Sequence, residues 1–130
     1  MNPAAEGKTY APVSFRVSQG RVDAFRSLFE TSDRIPPTLL TAAEFSVLPE
    51  IVGDADLDLD FRRVVHASQE YEYRRPLRLE ENLTVAARIA SIRHKGGNGF
   101  LTIEMEFFGA DGDLAAIARS TMIERGASQR

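Results

Sequence analysis

Two turns cut the second half of the chain into three strand-length segments, and this pattern restricts the possible folds more than any other feature. Leu83, Val85, Ala87 and Ile89 alternate with less apolar neighbours until Ile92 breaks the phase. Leu101, Ile103, Met105 and Phe107 alternate cleanly, whereas Leu114 to Ala118 is apolar on both faces, as a central strand would be. The turn Lys95-Gly96-Gly97-Asn98-Gly99 supplies residues that tolerate positive φ, and Ala110-Asp111-Gly112-Asp113 carries the Asp-Gly signal of a tight hairpin. With a further strand from about Arg63 to Arg75, the pattern predicts an antiparallel sheet of four or five strands.

The first half supplies what covers that sheet. Lys8 to Val17 reads as a strand anchored by Tyr10, Val13, Phe15 and Val17, with Pro12 marking an edge or a bulge. Ser18 can cap the helix that follows, in which Val22, Phe25, Leu28 and Phe29 fall at helical spacing and Arg21, Arg26 and Glu30 are left for solvent. Pro36-Pro37 ends what precedes it, since neither residue can donate a backbone hydrogen bond. A short buried helix is then expected near residues 38–48, with Leu40, Glu44 and Leu48 along one face and Ala43 and Val47 beside them.

At 130 residues and 14.4 kDa, the chain is sized for one domain with a single core, with frayed tails expected at about 1–7 and 126–130. Its 16 basic and 19 acidic residues are mixed along the sequence, leaving no basic stripe that would release counterions from nucleic acid. Without cysteine there is neither a disulfide framework nor a thiolate zinc site. The start MNPAAEGK lacks a signal peptide's apolar run, and no apolar stretch approaches the roughly 20 residues that cross a bilayer. A cytoplasmic protein binding neither nucleic acid nor membrane is the expectation, and no cofactor is called for. The acidic stretch from Gly53 to Asp60 is not an EF-hand loop: counted from Asp54, the sixth and twelfth positions hold Leu59 and Val65 where glycine and glutamate are needed. It reads as a solvated loop with aspartates outward and Leu57, Leu59 and Phe61 inward.

Several short motifs occur in a recognisable order: Gly7 with Tyr10; a helix ending before Pro36-Pro37-Thr38; His66-Ala67-Ser68-Gln69; Tyr71 to Tyr73; Arg75-Pro76-Leu77; and Gly96-Gly97. In that order the chain resembles the FAS1-like or MaoC-like dehydratase N-terminal domains, and is similar to the non-catalytic subunits of mycobacterial (3R)-hydroxyacyl-ACP dehydratases. The resemblance implies an α+β chain forming a single hotdog fold, an antiparallel sheet wrapped around a central helix. Two departures stand out: Glu80-Glu81 replaces the family's usual Gly-Asp, and Ala67 follows the histidine in place of glycine. Both are expected to alter a turn rather than the fold.

The catalytic half of such enzymes carries an Asp-x-Asn-Pro-x-His signature. Here the sole Asn-Pro is Asn2-Pro3, with no aspartate before it and no histidine after it. The resemblance therefore implies a structural subunit of an (R)-specific enoyl hydratase or 3-hydroxyacyl dehydratase, binding acyl-CoA or acyl-ACP and completed by a catalytic hotdog partner. A homodimer joined edge to edge is expected for the chain alone. The acyl-binding wall is assigned to His66, Ser68, Gln69, Tyr71, Tyr73, Arg75 and Ala43, with Arg74 and Arg75 suited to a phosphate.

If β geometry is regular, His66 and Ser68 share one face while Gln69, Tyr71 and Tyr73 share the other, so only a bulge can gather them all. His66 and Glu44 are the sole catalytic candidates, each with a plainer alternative: a hydrogen-bonded structural histidine, and a glutamate on the exposed side of its helix. Hotdog thioesterases can direct water with a helix carboxylate, so Glu44 keeps a stand-alone acyl-CoA thioesterase open as an alternative, beside a non-enzymatic ligand-binding module. Ser68 has no carboxylate to complete a triad, and His94-Lys95 reads as a solvated turn.

Overall fold

Gly96 and Gly97 adopt φ of 60° and 79°, the left-handed pair that a two-residue hairpin turn of the twisted sheet requires. Around this turn the computed structural model, which describes residues 1–29 and 35–126, arranges five strands and two α-helices. They are β1 (Val13–Arg16), α1 (Gln19–Phe29), α2 (Leu40–Val52), β2 (Val64–Tyr73), β3 (Asn82–Lys95), β4 (Asn98–Phe108) and β5 (Leu114–Glu124). The strands form one antiparallel sheet of five in the order β1-β3-β4-β5-β2. β5 thus lies inside the sheet, which is why both of its faces are apolar, and β1 and β2 are the edges.

The inner face of the sheet presents Leu83, Val85, Ala87 and Ile89 from β3, Leu101, Ile103, Met105 and Phe107 from β4, and Ala116 and Ala118 from β5, all buried. The phase break at Ile92 is a bulge between Ile89 and Ser91. Helix α2 sets Leu40, Ala43, Val47 and Ile51 into this core, each large side chain contributing about 1.5–3 kcal/mol by leaving water. The outcome is the expected hotdog arrangement. In α1, Ser18 Oγ accepts from the Arg21 N–H as the anticipated cap, and Val22 is buried, but Leu28 is 74% exposed rather than packed. Expectations for the Phe29 side chain, for Glu30 and for the tail from residue 127 lie outside the described residues.

Three local readings are corrected. β1 is only four residues long, so much of the β3 edge is left unpaired, and residues 7–10 fill it: Gly7 N–H donates to Ile89, Ile89 N–H to Lys8, and Tyr10 N–H to Ala87. The N-terminal tail, expected to fray, is thereby packed, with Ala5 buried and Asn2 N–H donating to Leu57. The acidic stretch is the expected loop leading into a strand, but its side chains depart from the expected alternation: Leu57 is buried, whereas Phe61 is 54% exposed instead of inward. Asp54 and Asp60 are structural, since Asp54 accepts from Tyr10 and pairs with Lys8, while Asp60 caps the short turn Phe61–Arg63. Among the described residues, no helix is long and apolar enough to cross a membrane.

Candidate functional site

Strand β2 changes phase in its middle. His66 pairs with Met122 and Ser68 with Thr121, so Ala67 is an extra residue bulged out of the ladder. The bulge puts Val64 and His66 on the same face as Gln69, Tyr71 and Tyr73, and sends Ser68 to the opposite, exposed face. Opposite this inner face runs α2, where Thr41, Glu44, Phe45 and Leu48 recur at helical spacing.

Between them lies a cavity of about 330 Å³ with apolar walls that include Phe45, Leu48, Phe61, Val64, Ile103, Met105 and Met122. Its polar residues are Thr41, Glu44, His66, Gln69 and Ser120. Glu44, expected to have its plainer place on the exposed side of the helix, is only 6% exposed. Gln69 Nε2 donates to Glu44 Oε1 at 3.1 Å, and Ser120 Oγ stands 3.0 Å from Glu44 Oε2 and 2.5 Å from Gln69 Oε1. Gln69 and Ser120 are register partners across β2 and β5, which is why these side chains meet. Among the described residues no cation pairs with Glu44.

Two tyrosines extend this polar lining toward the start of α2. The Tyr71 hydroxyl meets Thr41 Oγ1, and the Tyr73 hydroxyl donates to the Pro37 carbonyl. Burial, then the neighbouring Glu44 carboxylate, raises the Tyr71 hydroxyl above the ordinary phenol range. Burial and Glu44 push Tyr73 up to about 12. Both therefore stay protonated at physiological pH and remain donors. Tyr73 and Pro37 also border a second hollow of about 710 Å³ with Leu77, Arg78 and Leu79.

The structure thus brings together Glu44, His66 and Gln69, with Tyr71 and Tyr73 beside them. It does not bring in the others. Ala43 is fully buried beneath α2, Ser68 faces outward, and the Arg75 guanidinium is taken up by Glu81 at 2.6 Å and Asp113 at 2.6 Å. Those two carboxylates hold Arg75 above its ordinary range. Arg74 pairs with Glu72 at 3.5 Å. Ser120 and Thr41 escaped the sequence reading. Ser120 falls in period-2 phase with Ala116, Ala118 and Met122, but Ala115 and Ile117 make the other phase equally apolar, so only the packing shows that it points inward.

Among the described residues, no group of three or more histidine or carboxylate side chains stands close enough to hold a metal ion. A buried carboxylate held only by neutral groups in an apolar cavity can accept a hydrogen bond from a ligand or draw a proton from a water. His66, exposed at the rim, is the other titratable group lining the space.

Residues 10–117 match the family model described as FAS1-like, dehydratase domain region. A UPF0336 protein of Saccharopolyspora erythraea is 33% identical over 94 residues, covering 72% of this chain and 60% of the relative, so the chain spans well under two thirds of that protein. Among solved structures, the C-terminally truncated HadBC (3R-hydroxyacyl-ACP dehydratase) complex of Mycobacterium tuberculosis superposes with a TM-score of 0.81 at 16% identity, covering 92% of this chain and 96% of that one. The (R)-hydratase of A. caviae involved in PHA biosynthesis gives a TM-score of 0.69 at 16% identity, covering 90% and 94%. These structural likenesses establish the hotdog fold.

Proposed function

We propose, since the chain belongs to the FAS1-like dehydratase domain region family, that it is an acyl-thioester-binding hotdog subunit of an (R)-specific enoyl hydratase or 3-hydroxyacyl dehydratase. The observation that carries this reading is the cavity between α2 and β2, whose walls are apolar and in which Gln69 and Ser120 meet one buried carboxylate. Such a lining suits an aliphatic chain that carries a polar group. Hydration and dehydration move a proton at two adjacent carbons, and the Asp-x-Asn-Pro-x-His signature that does so in the catalytic half of such enzymes is not in this sequence. The catalytic pair is therefore supplied by a second hotdog chain, in keeping with the structural similarity to the HadBC complex.

The free edge of β2 is where that chain docks. Phe45 (63%), Phe61 (54%) and Val65 (41%) are exposed on or near the edge strand, more apolar surface than one unpaired strand ordinarily leaves to water. Alone, the chain forms a homodimer through this edge, which sedimentation at micromolar concentration checks. The purified chain binds long-chain acyl thioesters and does not hydrate crotonyl or longer enoyl thioesters. Robust hydration by the isolated protein, abolished in His66→Ala, would overturn the non-catalytic assignment.

The burial of Glu44 favours a second reading, a hydrolase in which this carboxylate takes a proton from a water attacking the thioester carbonyl while the thiol leaves. Thiol release from a panel of acyl-CoA esters tests it. Release that persists in Glu44→Gln rejects that role.

A further inference from the structure

The groove between α2 and β2 does not end with the cavity. Along α2 the cavity-lining residues run from Leu48 back to Thr41, and along β2 from Val64 to Gln69. Farther the same way, Pro37 on one side and Tyr73, Pro76, Leu77 and Leu79 on the other line the hollow of about 710 Å³. Among the described residues, none lines both spaces. What stands between them is a pair of tyrosines. Tyr71 and Tyr73 share the inner face of β2 with ring centroids 6.5 Å apart, and each hydroxyl crosses to the opposite wall, Tyr71 to Thr41 Oγ1 and Tyr73 to the Pro37 carbonyl. Both side chains are half-buried, so either can swing outward and exchange its partner for water. Phe61 and His66, both exposed, mark the end of the cavity away from the tyrosines, and a thioester head held there leaves its chain pointing at them.

The volume of the cavity sets where that pair matters. At about 30 Å³ for a methylene, close to the share of one water in the liquid, about 330 Å³ takes a chain of roughly ten carbons. We propose that Tyr71 and Tyr73 are the length-determining residues of this site: chains of up to about ten carbons are held with both tyrosine contacts intact, and longer ones break the Tyr71–Thr41 and Tyr73–Pro37 contacts to lay their distal carbons in the second hollow. This rests on the acyl-thioester reading above and names the chain lengths that the site separates. The walls of Pro37, Pro76, Leu77 and Leu79 suit the distal part of the chain, and each methylene they cover raises affinity up to about fourfold. Breaking the two contacts works against this gain, by the same amount for every chain long enough to need it.

Titration calorimetry with saturated acyl-CoA esters from octanoyl to hexadecanoyl, kept below their micelle-forming concentrations, is the test. It compares the wild-type chain with Tyr71→Phe/Tyr73→Phe, which keeps both rings and removes both hydroxyls. In the wild type, affinity rises to about ten carbons, pauses, and then rises again. In the double variant the pause is gone, and the ratio of hexadecanoyl to octanoyl affinity grows at least about tenfold, a scale that two ordinary hydrogen bonds account for. An unbroken rise through hexadecanoyl in the wild type, or an unchanged ratio in the folded double variant, overturns the proposal and leaves the acyl-thioester reading standing. Binding of none of the esters overturns both. Thr41→Val, which takes away the partner of Tyr71 and leaves both tyrosines, is read by the same outcomes if the double variant does not fold.

Discussion

Two carboxylate networks lie along β2 and the loop that follows it, and they are built on opposite principles. In the loop, Arg75 is clamped by Glu81 and Asp113, with further bonds to the Pro76 carbonyl and from the Arg78 N–H to Glu81. In the cavity, Glu44 is held by an amide and a hydroxyl, with no cation among the described residues. The first holds two carboxylates with one guanidinium, and the second holds its carboxylate with neutral groups alone. The charge-assisted bonds of the first hold the loop in one place, although Asp113 Oδ1 is left without a hydrogen-bond partner.

Arg75→Met presses hardest on this contrast. It strands Glu81 and Asp113 without a counter-ion, so the fold loses about 2 kcal/mol, less than a fully buried pair would cost because the clamp still touches water. Acyl-thioester affinity holds in the folded fraction, and urea denaturation alongside calorimetry separates the two. Acid acts on the same clamp. Arg75 holds the Asp113 carboxyl below its ordinary range, and although burial opposes ionisation of Glu81, Arg75 and the Arg78 N–H outweigh it and lower that carboxyl too. The stability they contribute is therefore complete above the ordinary carboxylate range of about pH 4 and drains away as the pH falls below it. Arg75→Met flattens this acid limb in a pH series of melting curves.

Val64→Phe probes the other side of the comparison. Val64 is half-buried on the edge strand and lines the cavity, so a larger ring fills the space with little strain on the core. Acyl binding weakens at least about tenfold, or about 1.4 kcal/mol, with the melting temperature nearly unchanged. Filling from Ala43 would not separate the two, because that methyl is fully buried and a larger side chain there would overpack the core.

Glu80→Gly has the smallest effect. Glu80 adopts φ of 64°, a conformation glycine takes without strain, and its carboxylate accepts from the Gln19 N–H at the start of α1 and pairs with Arg16. Relief of the backbone and loss of the cap offset each other, and the melting temperature stays where it is. This residue and Glu81 stand where the family has Gly-Asp, and the turn was the expected place of change. The structure shows that the two glutamates organise that turn.

The sheet was readable because its determinants are local. Alternation fixed the faces of β3 and β4, and Gly96-Gly97 fixed their hairpin. The site was less readable because it depends on what faces what across the sheet. Glu44 has one position in α2 by sequence and two environments by packing, and only the approach of Gln69 and Ser120 decides between them. Phe61 looked like an inward residue by alternation, but the chain there is a short turn rather than a strand, and periodicity says nothing about a turn.

Ala67, unpaired in the ladder, makes the numbering of β2 change parity. Before it the even residues, Val64 and His66, face α2; after it the odd ones do, Gln69, Tyr71 and Tyr73, and of these Val64, His66 and Gln69 line the cavity. Deleting that single alanine would restore a regular strand and, in doing so, exchange inside for outside along one half of it. A residue with almost no side chain thus acts as the frame-setter for the whole inner face of the strand.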